Sequence, residues 1–281
     1  MHLGQIRFEN KVTAAVFDGG MARPVPGYTL VQLIRKAETE SIPLPELASD
    51  MAVRHQEPAV PAIPIHPPEV WGCGCTFESS ATFRDSRFEG DRAIYSDLLS
   101  RERPQIFLKG TARICVGPEE PIGIRFDSKF TAPEPELAVV LGRGGNIVGY
   151  TLGNDVSARD LERENPLYLP QSKIYKGSCA LGPWIVTSDE LPEPAKLEMS
   201  CVITRDGTER FSGRVSLEPL EKRLAVLIAY LLRANPVPAG TVLLTGTGIM
   251  VDESAALDPG DMISIEMREI GRLSNPAARV E

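Results

Sequence analysis

Short apolar runs broken by Gly and Pro, one strong helical stripe and one proline-dense stretch predict a mainly β protein with some α. It divides into two unequal units. The proline-dense stretch, EPAVPAIPIHPP at 57–68, has five prolines in twelve positions. Proline fixes φ and removes a donor, so this segment reads as an extended connector. Ahead of it lies a small α+β unit (1–66), with strand patterns in QIRFE and VTAAVF and a helix near YTLVQLIRKAETE. Beyond it, 67–281 form a larger β-rich unit. Its one clear helix places Leu220, Leu224, Leu227, Ile228 and Leu231 at helical spacing, and NPVP stops it. TVLLTGTG and DPGDMISIEM follow as strand patterns bounded by turn residues.

The formal charge of −8 repels phosphate backbones and anionic lipid, which argues against nucleic acid and membrane as partners. A small anionic substrate remains compatible, because a metal or a few Lys and Arg can reverse the field inside a pocket. No basic start precedes an apolar run at the N-terminus, and no apolar stretch reaches the ~20 residues of a membrane span, so a cytoplasmic location is expected. Cys73, Cys75, Cys115, Cys179 and Cys201 are scattered and odd in number, without a second pair at zinc spacing. They read as reduced thiols.

The chemistry concentrates in residues 133–160. ELAVVL and NIVGYTL read as strands joined at RGGN, a turn signal because paired glycines tolerate positive φ. Centring the turn on Gly144 and Gly145 sets Glu134 opposite Asp155 and Glu136 opposite Gly153. Glu134 and Glu136 share a face because side chains alternate along a strand. Three carboxylates then converge, and like charges facing each other in a sheet need compensation. A hard divalent cation with oxygen ligands supplies it: Mg²⁺, with Mn²⁺ or Ca²⁺ as alternatives. The other reading is a solvated edge whose acids pair with Arg143 or Arg159.

EPELAVVLG, then NDVSARD, SKIYKGSCALGP and TGTG, in that order and spacing, resemble the fumarylacetoacetate hydrolase superfamily across about residues 70–281. The run DVSARDLERENPLYLPQSKIY is most similar to the 2-keto-3-deoxy-D-arabinonate dehydratase branch. The resemblance implies a β-roll or distorted barrel behind a small N-terminal domain, assembled as a dimer or tetramer. It makes Glu134, Glu136 and Asp155 the Mg²⁺ ligands, Lys173 the active-site lysine and Thr247 a contact for the substrate carboxylate. Two positions depart from it. Hydrolases of the superfamily carry a His and a Glu where CTFESSATFR has Ser80 and Phe83, and His2, His55 and His66 all lie upstream. The dehydratases carry an acid where this chain has Gln105, which can hydrogen-bond but cannot shuttle a proton.

The remaining candidates follow from chemistry and position. Lys173, desolvated beside a metal, would lose basicity and take a proton from carbon. The alternative is a permanent counter-ion for the acids. Ser80, Arg84, Gln105 and Lys109 are candidate substrate contacts, with Lys109 also readable as a strand-end side chain snorkelling to solvent. Arg159 and Asp160 are expected to form an ion pair bracing the loop after Asp155. Tyr175 and Gln171 flank Lys173 and could meet hydroxyls. Ser178 and Cys179 lack a partnering His and are poor nucleophiles. The expected activity is metal-dependent dehydration of a 2-keto-3-deoxy sugar acid through an enolate. Acylpyruvate hydrolysis, oxaloacetate decarboxylation and a catalytically silent ligand-binding role are the alternatives.

Overall fold

The computed structural model describes residues 1–86 and 94–281. The N-terminal pattern resolves into strands β1 (His2–Phe8), β2 (Lys11–Asp18) and β3 (Met21–Val25), then helices α1 (Leu30–Glu40) and α2 (Leu44–Met51). A capping box starts α1: Thr29 Oγ1 accepts from Gln32 N, and Gln32 Oε1 accepts from Thr29 N. Leu30, Leu33, Ile34 and Ala37 form its buried stripe. The proline-dense stretch forms a two-residue edge strand, β4 (Glu57–Pro58), and it is more than a connector, because its Ile63 and Ile65 are buried in the core with α1 and β10.

Beyond residue 69 the chain forms β5 (Val70–Gly74), α3 (Glu78–Asp85), α4 (Ile94–Ser100), β6 (Gln105–Gly110), β7 (Cys115–Val116), β8 (Ile122–Arg125) and β9 (Thr131–Ala132). The hairpin follows as β10 (Pro135–Leu141) and β11 (Ile147–Asp155), then β12 (Ser157–Ala158), α5 (Arg159–Glu164) and α6 (Leu169–Lys173). The chain continues through β13 (Cys179–Thr187), β14 (Glu198–Arg205), β15 (Thr208–Ser216), α7 (Leu224–Leu231), β16 (Thr241–Leu244), β17 (Met262–Met267) and β18 (Gly271–Val280). The helical stripe is shorter than its pattern, because Leu220 sits in a separate 3₁₀ turn.

Among the described residues the main sheet runs β4-β3-β2-β1-β13-β11-β10-β16-β5-β6, with β7 beside β13, and a second runs β15-β14-β17-β18-β8. The main sheet ends on β4 and β6, so the mainly β roll stays open and does not close into a barrel. Strand β1 pairs with β13, so the N-terminal strands extend the sheet that carries the hairpin.

Every residue of β10 is buried, which explains its unbroken apolar run. Leu137, Val139 and Leu141 pack with Met199, Cys201 and Ile203 of β14 and with Ile263 and Ile265 of β17. Ala138 and Val140 pack on the opposite side with Leu33 and Ile34 of α1 and Val242 of β16. This two-sided packing holds the hairpin fixed where the carboxylates begin.

Candidate metal centre and active site

The hairpin register is the expected one where it matters. Pro135 pairs with Asn154 and Glu136 with Gly153, and Asp155 N donates to Glu134 O at 3.0 Å. Nearer the turn a bulge between Val140 and Leu141 shifts the register, and Gly142–Asn146 form a longer loop than a two-residue turn. Gly144 and Gly145 both take positive φ there.

Glu134, Glu136 and Asp155 are buried and each offers an oxygen within 4.8 Å of the others. Buried, mutually repelling carboxylates with hard oxygen donors fit Mg²⁺ or a similar ion. Asp155 Oδ1 accepts no well-aligned hydrogen bond, although Lys109 Nζ lies 2.6 Å away, which leaves lone-pair capacity at the centre of the cluster. The solvated-edge reading fails on burial. No group joins Cys73 and Cys75 to a metal cluster among the described residues, and all five cysteines are free.

Four cations surround the acids. Lys173 Nζ donates to Asp155 Oδ2 at 2.8 Å and lies 3.1 Å from Glu134 Oε2, under the Phe107 ring at 5.6 Å. Lys109 is 0% exposed. Its Nζ pairs with Asp155 and donates to the carbonyls of Val156, at 3.0 Å, and Lys173. The snorkelling reading of Lys109 is therefore wrong: alternation along β6 turns Gln105, Phe107 and Lys109 to one face, and that face is inward. Arg84 reaches Glu134 Oε1 at 3.1 Å and Oε2 at 3.3 Å, and also bonds Glu162. Arg159 lies 3.4 Å from Glu134.

The expected Arg159–Asp160 pair does not form. Asp160 accepts instead from Ser128 Oγ and Lys129 N, both at 2.7 Å. Neighbours on a helix point in different directions, so i,i+1 residues do not face each other.

Charge and burial set the protonation of the cluster. Burial pushes the Glu134 carboxyl up, but Lys173, Arg84 and Arg159 outweigh it and hold it well below the usual range. Glu136 is driven well above that range by burial and by the charges of Asp155 and Glu134. It is also held by Gly246 N, which donates to its Oε2 at 2.6 Å. Gly246 has φ +88°, and a Cβ there would meet Thr76 Oγ1 at 2.1 Å, so glycine is required. Burial lowers the Lys173 ammonium, yet Asp155 and Glu134 win and raise it. The expected loss of basicity is thus absent from the side chains alone. A divalent ion on the same carboxylates would reverse the sign of the field at Nζ.

The other expected residues lie close by. Ser80 is buried on α3, one turn before Arg84. Helix α3 docks on the TGTG segment, with Ser79 Oγ donating to Gly248 O at 3.1 Å. Thr247 is buried, and its hydroxyl is turned to Ile249, accepting from its N at 3.1 Å. The Gln105 side chain lies across Gly74 of β5. Tyr175 is buried, its hydroxyl has no partner among the described residues, its ring lies under Arg125 at 5.7 Å, and Gln171 O accepts from Arg125. Ser178 Oγ donates to Lys173 O at 2.9 Å, a bracing bond rather than an activated nucleophile.

Three contributors escaped the sequence reading. Ser157 Oγ donates to Glu134 Oε1 at 3.0 Å, and its position two residues after Asp155 was a usable signal of a shared face. Glu162, partner of Arg84, stands three residues after Arg159 on the same helical face. Asn154 Oδ1 accepts from Glu134 N at 3.1 Å.

This fold and this carboxylate hairpin define a family. The family model described as "Fumarylacetoacetate (FAA) hydrolase C-terminal" matches residues 89–278, and the chain belongs to that family. It is 46% identical over 222 residues to the 2-dehydro-3-deoxy-D-arabinonate dehydratase of Saccharolobus solfataricus, covering 77% of this chain and 74% of that one. It is 40% identical to a probable 2-keto-3-deoxyxylonate dehydratase of Haloferax volcanii, covering 78% and 75%. The fold superposes, over 100% of both chains at a TM-score of 0.83 and 36% identity, on a 2-keto-3-deoxy-D-arabinonate dehydratase complexed with magnesium and 2,5-dioxopentanoate.

Proposed function

We propose that this chain is a Mg²⁺-dependent hydro-lyase that converts a 2-keto-3-deoxy pentonate, such as 2-keto-3-deoxy-D-arabinonate, into 2,5-dioxopentanoate and water. The observation that carries the reading is the buried Glu134–Glu136–Asp155 triad with Lys173 Nζ 2.8 Å from Asp155, in a chain 46% identical to a dehydratase of that acid. Glu134, Glu136 and Asp155 would hold the ion, whose chemistry is Lewis acidity toward a 2-keto acid.

Lys173 takes a C3 proton and the 4-hydroxyl leaves as water, forming a C3–C4 double bond; a proton then passes from C5 to C3, and the C4–C5 enol that results tautomerises to the aldehyde product. Lys109 holds Asp155 and the Lys173 backbone in place for that transfer. Ser80, Arg84 and Thr247 stand on the two segments that meet over the triad, and we assign them to substrate binding. Gln105 meets a substrate hydroxyl as a hydrogen-bonding partner and supplies no proton. Phe83, which stands where the hydrolases carry an acid, lies beneath the Arg159 guanidinium at 5.7 Å, and an apolar ring there cannot activate water.

We also propose that residues 1–66 are an appended unit and that 67–281 carry catalysis, which the match of the family model to 89–278 supports. Assembly into dimers or tetramers and a cytoplasmic setting belong to the same proposal. Among the described residues no helix is long and apolar enough to cross a membrane.

NMR of the purified chain with 2-keto-3-deoxy-D-arabinonate and Mg²⁺ tests the activity. Accumulating 2,5-dioxopentanoate, halted by chelation and restored by Mg²⁺, is expected. No turnover of this acid, together with rapid CO₂ release from oxaloacetate or pyruvate release from acetylpyruvate, would replace the dehydratase reading with a carbon–carbon lyase or hydrolase.

A further inference from the structure

Arg84 is shared between two carboxylates with different duties. Its NH2 faces both oxygens of Glu134, at 3.1 and 3.3 Å, while its NH1 bonds Glu162 of α5. Glu134 belongs to the metal triad and Glu162 does not. The guanidinium Nε is buried and finds no acceptor among the described residues. Glu134 also receives Ser157 Oγ at 3.0 Å and has Lys173 Nζ at 3.1 Å and Arg159 at 3.4 Å. Both of its oxygens are therefore occupied by cationic or hydroxyl donors. An ion that takes lone pairs from Glu134 must take them from one of these groups. Among the three cations on Glu134, Arg84 has the alternative that the geometry singles out, a second carboxylate outside the triad already in contact.

We propose that Arg84 is a displaceable occupant of the metal centre. The guanidinium and the divalent ion are alternative partners of Glu134, and Glu162 is the positioning residue that retains Arg84 when the ion takes its place. This rests on the triad being a metal site, and it assigns a role to Glu162 that the triad alone does not require. The arrangement stabilises the cluster through folding, since like carboxylates are never left facing each other uncompensated. It also keeps Arg84 beside the centre, where its released N–H groups can turn to a substrate anion.

The inference predicts signs opposite to those of a bracing role. Arg84→Met removes the competitor, so Mn²⁺ should bind about tenfold more tightly than to the wild type, the scale of one neighbouring charge. Glu162→Gln leaves Arg84 with Glu134 as its sole carboxylate partner among the described residues, so Mn²⁺ should bind about three- to tenfold more weakly. In the double variant the Glu162 effect should vanish and the affinity should match that of Arg84→Met, because Glu162 acts through Arg84. A mere brace predicts instead that both single changes weaken binding and that their effects add.

The experiment is calorimetric titration of the full-length chain and its variants with Mn²⁺ at fixed pH and without substrate, alongside thermal melts. Arg84→Met strands Glu162, and if it does not fold, the double variant, which strands no charge, compared with Glu162→Gln carries the same sign test. Tighter binding in Arg84→Met or the double variant supports displacement. Affinity equal to or weaker than wild type in both overturns it while leaving the metal site intact. A wild type that binds no Mn²⁺ overturns the metal reading, and this inference with it.

Discussion

Two sites built around buried carboxylates in this molecule have opposite character. Asp261, ahead of β17, is fully buried and fully answered. Its Oδ1 accepts from Arg205 Nε at 2.7 Å, and its Oδ2 accepts from Arg205 NH2 at 2.9 Å and Asp258 N at 2.8 Å. Arg205 spends its other contacts on Ala256 O and Asp258. At the hairpin, three carboxylates converge instead, burial and the neighbouring charges push Glu136 above the usual range, and Arg84 Nε finds no acceptor among the described residues. A charge pair that serves the fold completes its hydrogen bonds within the chain. One that serves chemistry leaves like charges together with capacity to spare, and that is where a ligand fits.

The largest effect expected from this contrast is at Lys173. Lys173→Met should lower kcat by about 10²–10⁴-fold, the usual scale for a lost general base, and abolish exchange of the substrate C3 proton with solvent deuterium. A lysine that only balances the acids would instead lose metal affinity or stability while the loaded enzyme still exchanged C3. Next comes Asp155→Asn. Loss of even an outer partner of a metal ligand costs about 10–100-fold in affinity, so loss of the ligand itself should reach about 100-fold by Mn²⁺ titration.

The structural cluster should respond in a different observable. Arg205→Met should cost about 1–3 kcal/mol of stability, a melting shift of roughly 2–12 °C, with kcat unchanged. A fall in kcat would erase the distinction between the two clusters.

Its pH dependence is also signed. Burial raises the Asp261 carboxyl, but the hydrogen bonds from Arg205 and Asp258 outweigh it and lower the folded-state value. The folded protein then binds that proton less readily than the unfolded chain. The stability from this group is complete above the unfolded value near ~3.9, and it is lost as pH falls through the folded value. The stability gap between wild type and Arg205→Met should stay constant from about pH 6 to 8 and shrink below about pH 4. A gap that widened on acidification would contradict the assignment.

The smallest effect is at Gln105. Gln105→Glu should speed water elimination by about tenfold or less if an acid at this strand position donates to the leaving hydroxyl. An unchanged rate would mean that another group donates.

How much of this was legible beforehand differs between local and distant contacts. Period-two alternation and the paired glycines placed Glu134 opposite Asp155 without any tertiary knowledge. The bulge at Val140 was invisible because it obeys the packing of β10 and not its residue types. Helix α2 was missed for want of a long apolar stripe, since only Leu47 and Ala48 are buried in it. Lys109 was misread because sequence spacing gives the face of a residue but not which face is inward. Arg84 and Glu162 are 78 residues apart, and nothing local couples them. The family resemblance supplied the identity of the lysine and the ligand role of the triad that the register had already assembled, but not the cationic frame that balances them.

Anomalous scattering from Mn²⁺-soaked crystals tests the contrast most directly. The expected result is one strong peak within about 2–2.6 Å of oxygens from Glu134, Glu136 and Asp155, with no peak at Asp261. A peak elsewhere, or none while Lys173 and Arg84 stay on the acids, would contradict the assignment of the hairpin as the metal centre.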